Sequence, residues 1–216
     1  MDERVMNVKH IAIEGGIGVG KTTLATGLAK KLDASLLLEA PEENPFLEAF
    51  YQDPERHGLS VQLSFLFTRL KQWQQLVQQD LFQSLMISDY LFAKDRLFAM
   101  TNLSDEEFAL YDQVAQVITV KIPQPDLVIY LQSSAEVALK RVRKRNIPSE
   151  RNITLEYLKQ ITDTFDKFFF HYQTTPLLVV STDHINFAER PEAIDMLIER
   201  IKNKRPGTEF WADYTE

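Results

Sequence analysis

The chain has 216 residues, of which 44% are hydrophobic and 25% are charged, a composition typical of one globular domain with a sizeable core. Its 24 basic and 31 acidic residues give a net charge of −7, which argues against a nucleic-acid partner held by phosphate contacts. The absence of cysteine excludes disulfides, thiolate metal sites and cysteine nucleophiles. With no signal-peptide core and no apolar run near the ~20 residues of a membrane span, we expect a soluble, cytoplasmic protein without a membrane partner.

Apolar runs and segments of helical periodicity alternate along the chain. In chain order they predict a strand at 8–14, a helix at 21–32, a strand at 35–39, a helical turn at 45–51, a helix at 59–82, a strand at 85–89, helices at 91–100 and 104–120, a strand at 126–131, helices at 134–145 and 154–172, a strand at 177–180 and a helix at 192–203. Short apolar strands without polar alternation indicate a parallel sheet covered on both faces. We predict one three-layer α/β domain over 1–216, with a five-stranded parallel sheet flanked by helices and a loosely ordered tail at 204–216.

A glycine-rich segment joins the first predicted strand to the first predicted helix. It reads GGIGVGKT and matches G-x-x-x-x-G-K-[ST], the phosphate-binding P-loop. The backbone N–H groups of such a loop and the positive end of the next helix attract phosphate. Lys21 is expected to reach the outer phosphates and Thr22 to ligate Mg²⁺. The predicted nucleotide-binding residues are Gly15, Gly16, Ile17, Gly18, Val19, Gly20, Lys21, Thr22 and Thr23.

Two carboxylates, Glu39 and Asp89, each end a predicted strand. Both should therefore lie at the carboxyl edge of the sheet, close to the glycine loop. One carboxylate could accept the proton of an acceptor hydroxyl while the other holds Mg²⁺. The chain lacks the N-K-x-D segment of a GTPase and the strand-ending Asp followed by glycine of many ATPases. A small kinase is the function class that remains.

Five of the six residues at 140–145, KRVRKR, are basic. Arg141 and Arg145 are four residues apart and share one face of the predicted helix. A solvated basic helix is one interpretation. The other is an arginine-rich lid at about 140–152 whose guanidinium groups close over the transferring phosphoryl group.

Taken together, several separated segments resemble the deoxyribonucleoside kinase family, and within it the bacterial deoxyguanosine and deoxyadenosine kinases. The segments are GGIGVGKTTLA, LEAPEENPFLEAFYQDPER, Gln62 with Arg69, SDYLFAKD, and the arginine-rich stretch followed by Glu150 and ITLEYL. The resemblance runs from about residue 9 to residue 188. It implies a P-loop kinase fold, ATP as phosphoryl donor, Mg²⁺, a deoxynucleoside substrate and a homodimer.

The resemblance also implies roles for individual residues. Glu39 corresponds to the carboxylate at the 5′-hydroxyl and Asp89 to the acidic residue beside Mg²⁺, although either could be the proton acceptor. The implied substrate-binding residues are Glu39, Tyr51, Gln62, Arg69, Asp89, Tyr90, Asp95 and Glu150; of these, Gln62, Arg69 and Asp95 correspond to the trio at the base edge, and Tyr51 and Glu150 to the pair at the 3′-hydroxyl. The implied catalytic residues are Lys21, Glu39, Asp89, Arg141 and Arg145, and the metal ligands are Thr22 and Asp89.

Two positions depart from the family pattern. Tyr90 stands where many members have an arginine that helps to hold the 5′-hydroxyl and the phosphate, and Ile147 stands where a third lid arginine is common. Three aromatic residues near the substrate positions could sandwich a base or simply pack in the core: Phe46, Phe65 and Phe92.

The expected function is ATP-dependent phosphorylation of the 5′-hydroxyl of a 2′-deoxyribonucleoside in nucleotide salvage. The alternatives are a nucleoside monophosphate kinase of the thymidylate kinase type and a nucleotide-binding regulator without turnover. Arg69 and Asp95 are both present, and a buried Arg–Asp pair would be left without hydrogen-bond partners by the methyl group of thymine. We therefore expect a purine substrate, deoxyguanosine or deoxyadenosine, with deoxycytidine allowed and thymidine poor.

Overall fold

The computed structural model describes residues 8–78, 85–118, 122–204 and 206–212. The strands within these ranges are β1 (His10–Gly15), β2 (Ser35–Leu37), β3 (Met86–Ser88), β4 (Leu127–Gln132), β5 (Leu177–Ser181) and β6 (Thr208–Ala212). The helices are α1 (Lys21–Leu32), α2 (Leu47–Gln52), α3 (Pro54–Gln78), α4 (Lys94–Asn102), α5 (Asp105–Ile118), α6 (Ala135–Arg145), α7 (Leu155–Phe170) and α8 (Glu192–Lys202). The ends predicted at residues 82 and 120 lie outside the described residues.

Every strand pair in the sheet is parallel, and the order across the sheet is β2-β3-β1-β4-β5-β6. The predicted number of five strands is wrong, because β6 extends the sheet beyond β5. This strand lies in the tail that was expected to be loosely ordered, and its Trp211 is only 5% exposed. Pairing with β5 and burial of one indole therefore order a segment whose other side chains are exposed or half-buried.

Helices cover both faces of the sheet, as the sequence predicted. On one face, α1 and α8 bury Leu24, Leu28 and Leu197 against the strands. On the other face, α7 buries Phe165 and Phe169 against β4 and β5. Among the described residues, no helix combines the length and the apolar character needed to cross a membrane.

The loop between β1 and α1 depends on glycine at two positions. Gly18 and Gly20 have positive φ angles of 81° and 105°, which residues with a Cβ atom adopt only at a cost. A Cβ atom on Gly18 would also lie 2.7 Å from the carbonyl oxygen of Ala138 in α6. Glycine at position 18 is therefore required both by the backbone angle and by the close approach of α6.

We predict that Gly18→Ala lowers the free energy of unfolding by about 2–5 kcal/mol, because backbone strain and overpacking add. Gly207→Ala is the matched control, since Gly207 has a φ of 93° but no atom within 4 Å of the added Cβ. That variant should lose about 1–2 kcal/mol from strain alone. Urea unfolding measures both, and equal losses would contradict the close contact with α6.

Candidate active site

Lys21 is the first residue of α1, and its side chain reaches back over the glycine loop. The ammonium donates to the carbonyl oxygens of Gly15 at 2.9 Å and Gly16 at 2.6 Å. Burial and, after it, the nearby Lys94 ammonium lower the pKa of Lys21 to about 8, against the opposing effect of the Glu14, Glu39 and Asp89 carboxylates. In the described part of the chain, this cation donates to neutral carbonyl groups at the mouth of a P-loop, so its charge is available to an incoming phosphate.

A hydroxyl and a carboxylate meet beside this loop. Thr22 Oγ1 donates to Asp89 Oδ2 at 2.6 Å, and Asp89 Oδ1 accepts a hydrogen bond from the backbone N–H of Glu39 at 2.8 Å. The three residues follow β1, β3 and β2, which are neighbours in the sheet. The glycine loop, Glu39 and Asp89 therefore converge, as the parallel sheet predicted.

A cavity of about 550 Å³ opens between these groups and the helices that follow β2. This substrate cavity, as we call it, has a volume suited to a small organic ligand. The predicted site residues in its lining are Ile17, Gly18, Lys21, Thr22, Glu39, Tyr51, Gln62, Arg69, Asp89, Arg145 and Glu150. Residues from separate parts of the chain, predicted from separate motifs, thus line one cavity.

Four buried charges of alternating sign form a row, Asp95–Arg69–Glu39–Lys94, of which the last three line the substrate cavity. Arg69 pairs with Asp95 through one terminal nitrogen and with Oε1 of Glu39 through the other, and Lys94 Nζ donates to Glu39 Oε2 at 2.5 Å. All four side chains are at most 13% exposed. Because each charge has an oppositely charged neighbour, the row avoids the large cost of an isolated buried ion.

These charges also fix the ionisation of their neighbours. Burial would raise the pKa of Glu39, but the positive charges of Arg69 and Lys94 outweigh it and hold this pKa well below its usual value. Burial would lower the pKa of Lys94, but Glu39 and Glu14 outweigh it and raise that pKa. Glu39 is therefore an anion and Lys94 a cation at neutral pH.

Three buried polar atoms of the charge row and its surroundings have no hydrogen-bond partner in the described part of the chain: Gln62 Oε1, Arg69 Nε and Asp95 Oδ2. Gln62 and Arg69 lie two turns apart on α3, line the substrate cavity and are 2% and 3% exposed. Asp95 lies behind Arg69, at the wall of a neighbouring cavity. Unsatisfied buried polar groups are costly, so the wall fits a ligand with complementary donors and acceptors.

Arg145, Glu150 and Tyr51 also line the substrate cavity. Two guanidinium nitrogens of Arg145 donate to Glu150, the shortest contact being 2.6 Å. Tyr51 lines the same region, and burial followed by the nearby Tyr157 and Glu150 raises the pKa of its phenol. Tyr51 and Glu150, predicted as a pair, are therefore brought to one side of the cavity.

Arg141 lies on the other side of the P-loop. Its guanidinium donates to the backbone carbonyl oxygens of Thr182 at 2.5 Å and Ile185 at 3.0 Å. It lines a second cavity, of about 300 Å³, between the P-loop and residues 185–189. Arg145 lines both cavities, so the two predicted lid arginines occupy different surroundings.

The predicted aromatic residues have separate environments. Phe65 lines the substrate cavity, and the Arg69 guanidinium lies 5.1 Å from the centre of its ring. Phe46 is 40% exposed, and Phe92 lines the neighbouring cavity behind Arg69. Tyr90 is completely buried behind Arg69, where its hydroxyl donates to Gln72 at 2.9 Å.

Sequence reasoning did not single out Glu14 or Lys94, which are both buried at the site. Glu14 accepts hydrogen bonds from the backbone N–H groups of Gly15 and Leu91, each at 2.8 Å. The sequence did contain a signal for Glu14, because an acidic residue at the end of an apolar strand, directly before a glycine loop, indicates a buried carboxylate at the site. Lys94 had no such signal, since a lysine in the first turn of a predicted helix is ordinarily exposed.

A P-loop at the carboxyl edge of a parallel sheet, next to a carboxylate-lined cavity, defines the class of P-loop phosphotransferases. The family model described as deoxynucleoside kinase matches residues 11–204, and the chain belongs to this family. The chain is therefore an enzyme that phosphorylates a nucleoside. This assignment decides against a monophosphate kinase and against a regulator without turnover.

Individual relatives agree with the family assignment. Deoxyguanosine kinase of Bacillus subtilis is 34% identical over 157 residues, which cover 72% of this chain and 76% of the relative. The deoxyadenosine/deoxycytidine kinase of the same organism is 28% identical over 88% of this chain and 90% of the relative. The structure of deoxyadenosine kinase from M. mycoides with bound dATP has a TM-score of 0.78 and 25% identity, covering 89% of this chain and 98% of that one.

We predict that Lys21→Ala lowers kcat by on the order of 10²-fold or more, because a positioned cation no longer stabilises the charge that develops on the phosphoryl group. Lys30→Ala is the control, since Lys30 is an exposed cation on the same helix. A coupled ADP-release assay measures both variants. A Lys21→Ala enzyme as fast as Lys30→Ala would contradict the placement of the phosphoryl donor at this loop.

Proposed function

We propose that the enzyme transfers the γ-phosphoryl group of ATP to the 5′-hydroxyl of a purine 2′-deoxyribonucleoside in nucleotide salvage. The observation that carries this proposal is the position of Glu39 between the Thr22–Asp89 pair on one side and the unsatisfied groups of Gln62 and Arg69 on the other. A single nucleoside bound here would place its hydroxyl at the Glu39 carboxylate and the edge of its base at Gln62 and Arg69.

Glu39 is the proposed proton acceptor. Each carboxylate oxygen offers two acceptor lone pairs, so Glu39 retains capacity for the 5′-hydroxyl although Arg69 and Lys94 each occupy one oxygen. A hydroxyl bound there would be oriented with its oxygen free to attack. Because the transition state of phosphoryl transfer is loose, this orientation and the stabilisation of charge matter more than a strong base.

Thr22 and Asp89 are the proposed ligands of Mg²⁺. Their hydroxyl and carboxylate oxygens, 2.6 Å apart, are hard donors, and Mg²⁺ is commonly bound through one or two such groups together with nucleotide phosphates. The described residues contain no cluster of three or more acidic, histidine or cysteine side chains that could hold a metal alone. When bound, the ion would neutralise charge on the phosphates.

The remaining contacts are assigned by their place in the substrate cavity. We propose that Tyr51 and Glu150 hold the deoxyribose 3′-hydroxyl and that Arg145 acts at the phosphates as part of a lid at 140–152, since Arg145 lines both cavities. Arg141 lines the cavity beside the P-loop, which we assign to the nucleotide donor. The pairing of Arg145 with Glu150 would link the two halves of the site.

A polar wall favours a purine. Gln62 and Arg69, backed by Asp95, offer both donors and acceptors in a buried environment, which match the edge of guanine or adenine. Thymine would place its methyl group against desolvated polar groups. The relatives named deoxyguanosine kinase and deoxyadenosine/deoxycytidine kinase support this direction, with deoxycytidine allowed and thymidine poor.

We further propose that the enzyme is a cytoplasmic homodimer. Exposed apolar side chains lie on the neighbouring helices α3 and α5: Phe67 at 52% exposed, Leu110 at 50% and Val117 at 79%. An interface with a second copy of the chain would cover these side chains, which are large apolar residues exposed on two helices in contact.

The two carboxylates should respond differently to removal of their charge. Glu39→Gln should lower kcat by about 10²–10⁴-fold, because it loses the acceptor of the hydroxyl proton, while the Mg²⁺ dependence stays unchanged. Asp89→Asn should raise the Mg²⁺ concentration for half-maximal rate by at least about tenfold. Initial rates over a Mg²⁺ titration measure both effects.

Glu43→Gln, which removes an exposed carboxylate four residues from Glu39, should behave as wild type in the same titration. The opposite pattern, with a higher Mg²⁺ requirement in Glu39→Gln and an unchanged one in Asp89→Asn, would exchange the two assigned roles.

The base preference can be measured as kcat/KM for the four deoxynucleosides. We predict that deoxyguanosine or deoxyadenosine exceeds thymidine by at least about 10²-fold, because unpaired buried polar groups penalise the wrong ligand strongly. Gln62→Leu should lower kcat/KM for the preferred purine and reduce this ratio. Gln74→Leu, at an exposed position on the same helix, should leave the ratio unchanged. A preference for thymidine would refute the argument from Arg69 and Asp95.

A further inference from the structure

Lys94 occupies a position that is unfavourable for a lysine unless its charge is used. It is the first residue of α4, where the positive end of the helix dipole repels a cation. Its side chain is 7% exposed, and its ammonium lies 5.6 Å from the centre of the Phe98 ring. Helix electrostatics and burial both oppose the charge, so the ion pair with Glu39 has to offset them.

The backbone before α4 fixes where this ammonium can go. Ser88 Oγ donates to the carbonyl oxygen of Tyr90 at 2.9 Å, and the N–H of Leu91 donates to the buried carboxylate of Glu14. The N–H of Lys94 then donates to the carbonyl oxygen of Leu91 at 2.9 Å. The turn between β3 and α4 is therefore tied to β1, and it directs Lys94 into the substrate cavity, which Lys94 lines.

Position 90 in the same turn supplies no charge. Tyr90 is completely buried, and its hydroxyl is directed to Gln72 rather than to the substrate cavity. On this side of Glu39, the described residues that contact its carboxylate are Lys94 at Oε2 and Arg69 at Oε1. Arg69 is shared with Asp95, whereas the described ion pair of Lys94 is with Glu39 alone.

We propose that Lys94 is the positioning residue of this kinase, which holds the Glu39 carboxylate in the orientation that receives the 5′-hydroxyl. This inference rests on the proposed role of Glu39 as the proton acceptor. Without Lys94, Oε2 of Glu39 has no cation, and the carboxylate can rotate toward Arg69 and away from the acceptor. The substrate can still bind, because Gln62, Arg69 and the deoxyribose contacts do not involve Lys94.

The test is a double-mutant cycle with Lys94→Met, Glu39→Gln and the double variant, each measured for kcat and for KM of deoxyguanosine and deoxyadenosine. Lys94→Met should lower kcat by on the order of 10²-fold, the size of effect expected for misplacing a reacting group, with KM changed less than about threefold. In the Glu39→Gln background, Lys94→Met should have little further effect, because Lys94 acts through Glu39. A residue with a general structural role would lower the rate in both backgrounds.

Arg96→Met is the matched control, since Arg96 lies two residues on in the same helix and pairs with Asp112 at the surface. It should keep the wild-type rate. A Lys94→Met enzyme with wild-type kcat would overturn the proposal, and so would losses in kcat that multiply in the double variant. Wild-type kcat in Glu39→Gln alone would instead overturn the proposed role of Glu39. Thermal unfolding of each variant verifies that the folded proteins are compared.

Discussion

The ion pairing of Glu39 with both Arg69 and Lys94 is the interaction on which the rest of the site depends. A carboxylate buried to this degree would be protonated or hydrated if it stood alone, whereas two cations keep it ionised and leave it little freedom. The same pairing determines which charges surround it. Arg69 is itself buried and needs Asp95 as a second partner. The charge pairing that begins at Glu39 therefore continues into the wall that we assign to base recognition.

The order of strands explains how groups so distant in sequence come to share one site. Because β2, β3 and β1 are adjacent and parallel, the residues after them emerge at one edge. The loop after β1 provides the phosphate-binding groups. Glu39 is the second residue after β2, and Asp89 directly follows β3 and precedes the turn to α4. The long helix α3 then closes the cavity with Gln62 and Arg69, which lie two turns apart on the helix and both line the cavity.

Local patterns predicted the parts of the fold and site that local chemistry determines. The glycine motif could be placed to the residue, because the turn requires glycine and the chemistry requires Lys21 and Thr22. The convergence of Glu39 and Asp89 followed from parallel strands alone. The strand β6 could not be predicted in the same way, since Thr208–Ala212 follows a Pro-Gly pair and becomes a strand only through its pairing with β5. Tyr90 and Lys94 both lie within the recognised segment SDYLFAKD, but which of them lines the cavity depends on how Glu14 anchors the turn that contains them.

In the proposed complex, Glu39 lies at the acceptor hydroxyl while the base lies against Gln62 and Arg69. A crystal structure of the enzyme with ADP and deoxyguanosine bound would test it most directly, through the distance between the nucleoside 5′-oxygen and the Glu39 carboxylate. We expect a hydrogen-bond distance of about 2.6–3.2 Å, with the guanine edge contacting Gln62 and Arg69. A nucleoside bound with its 5′-oxygen beyond the reach of Glu39, or with its base away from Gln62 and Arg69, would contradict it.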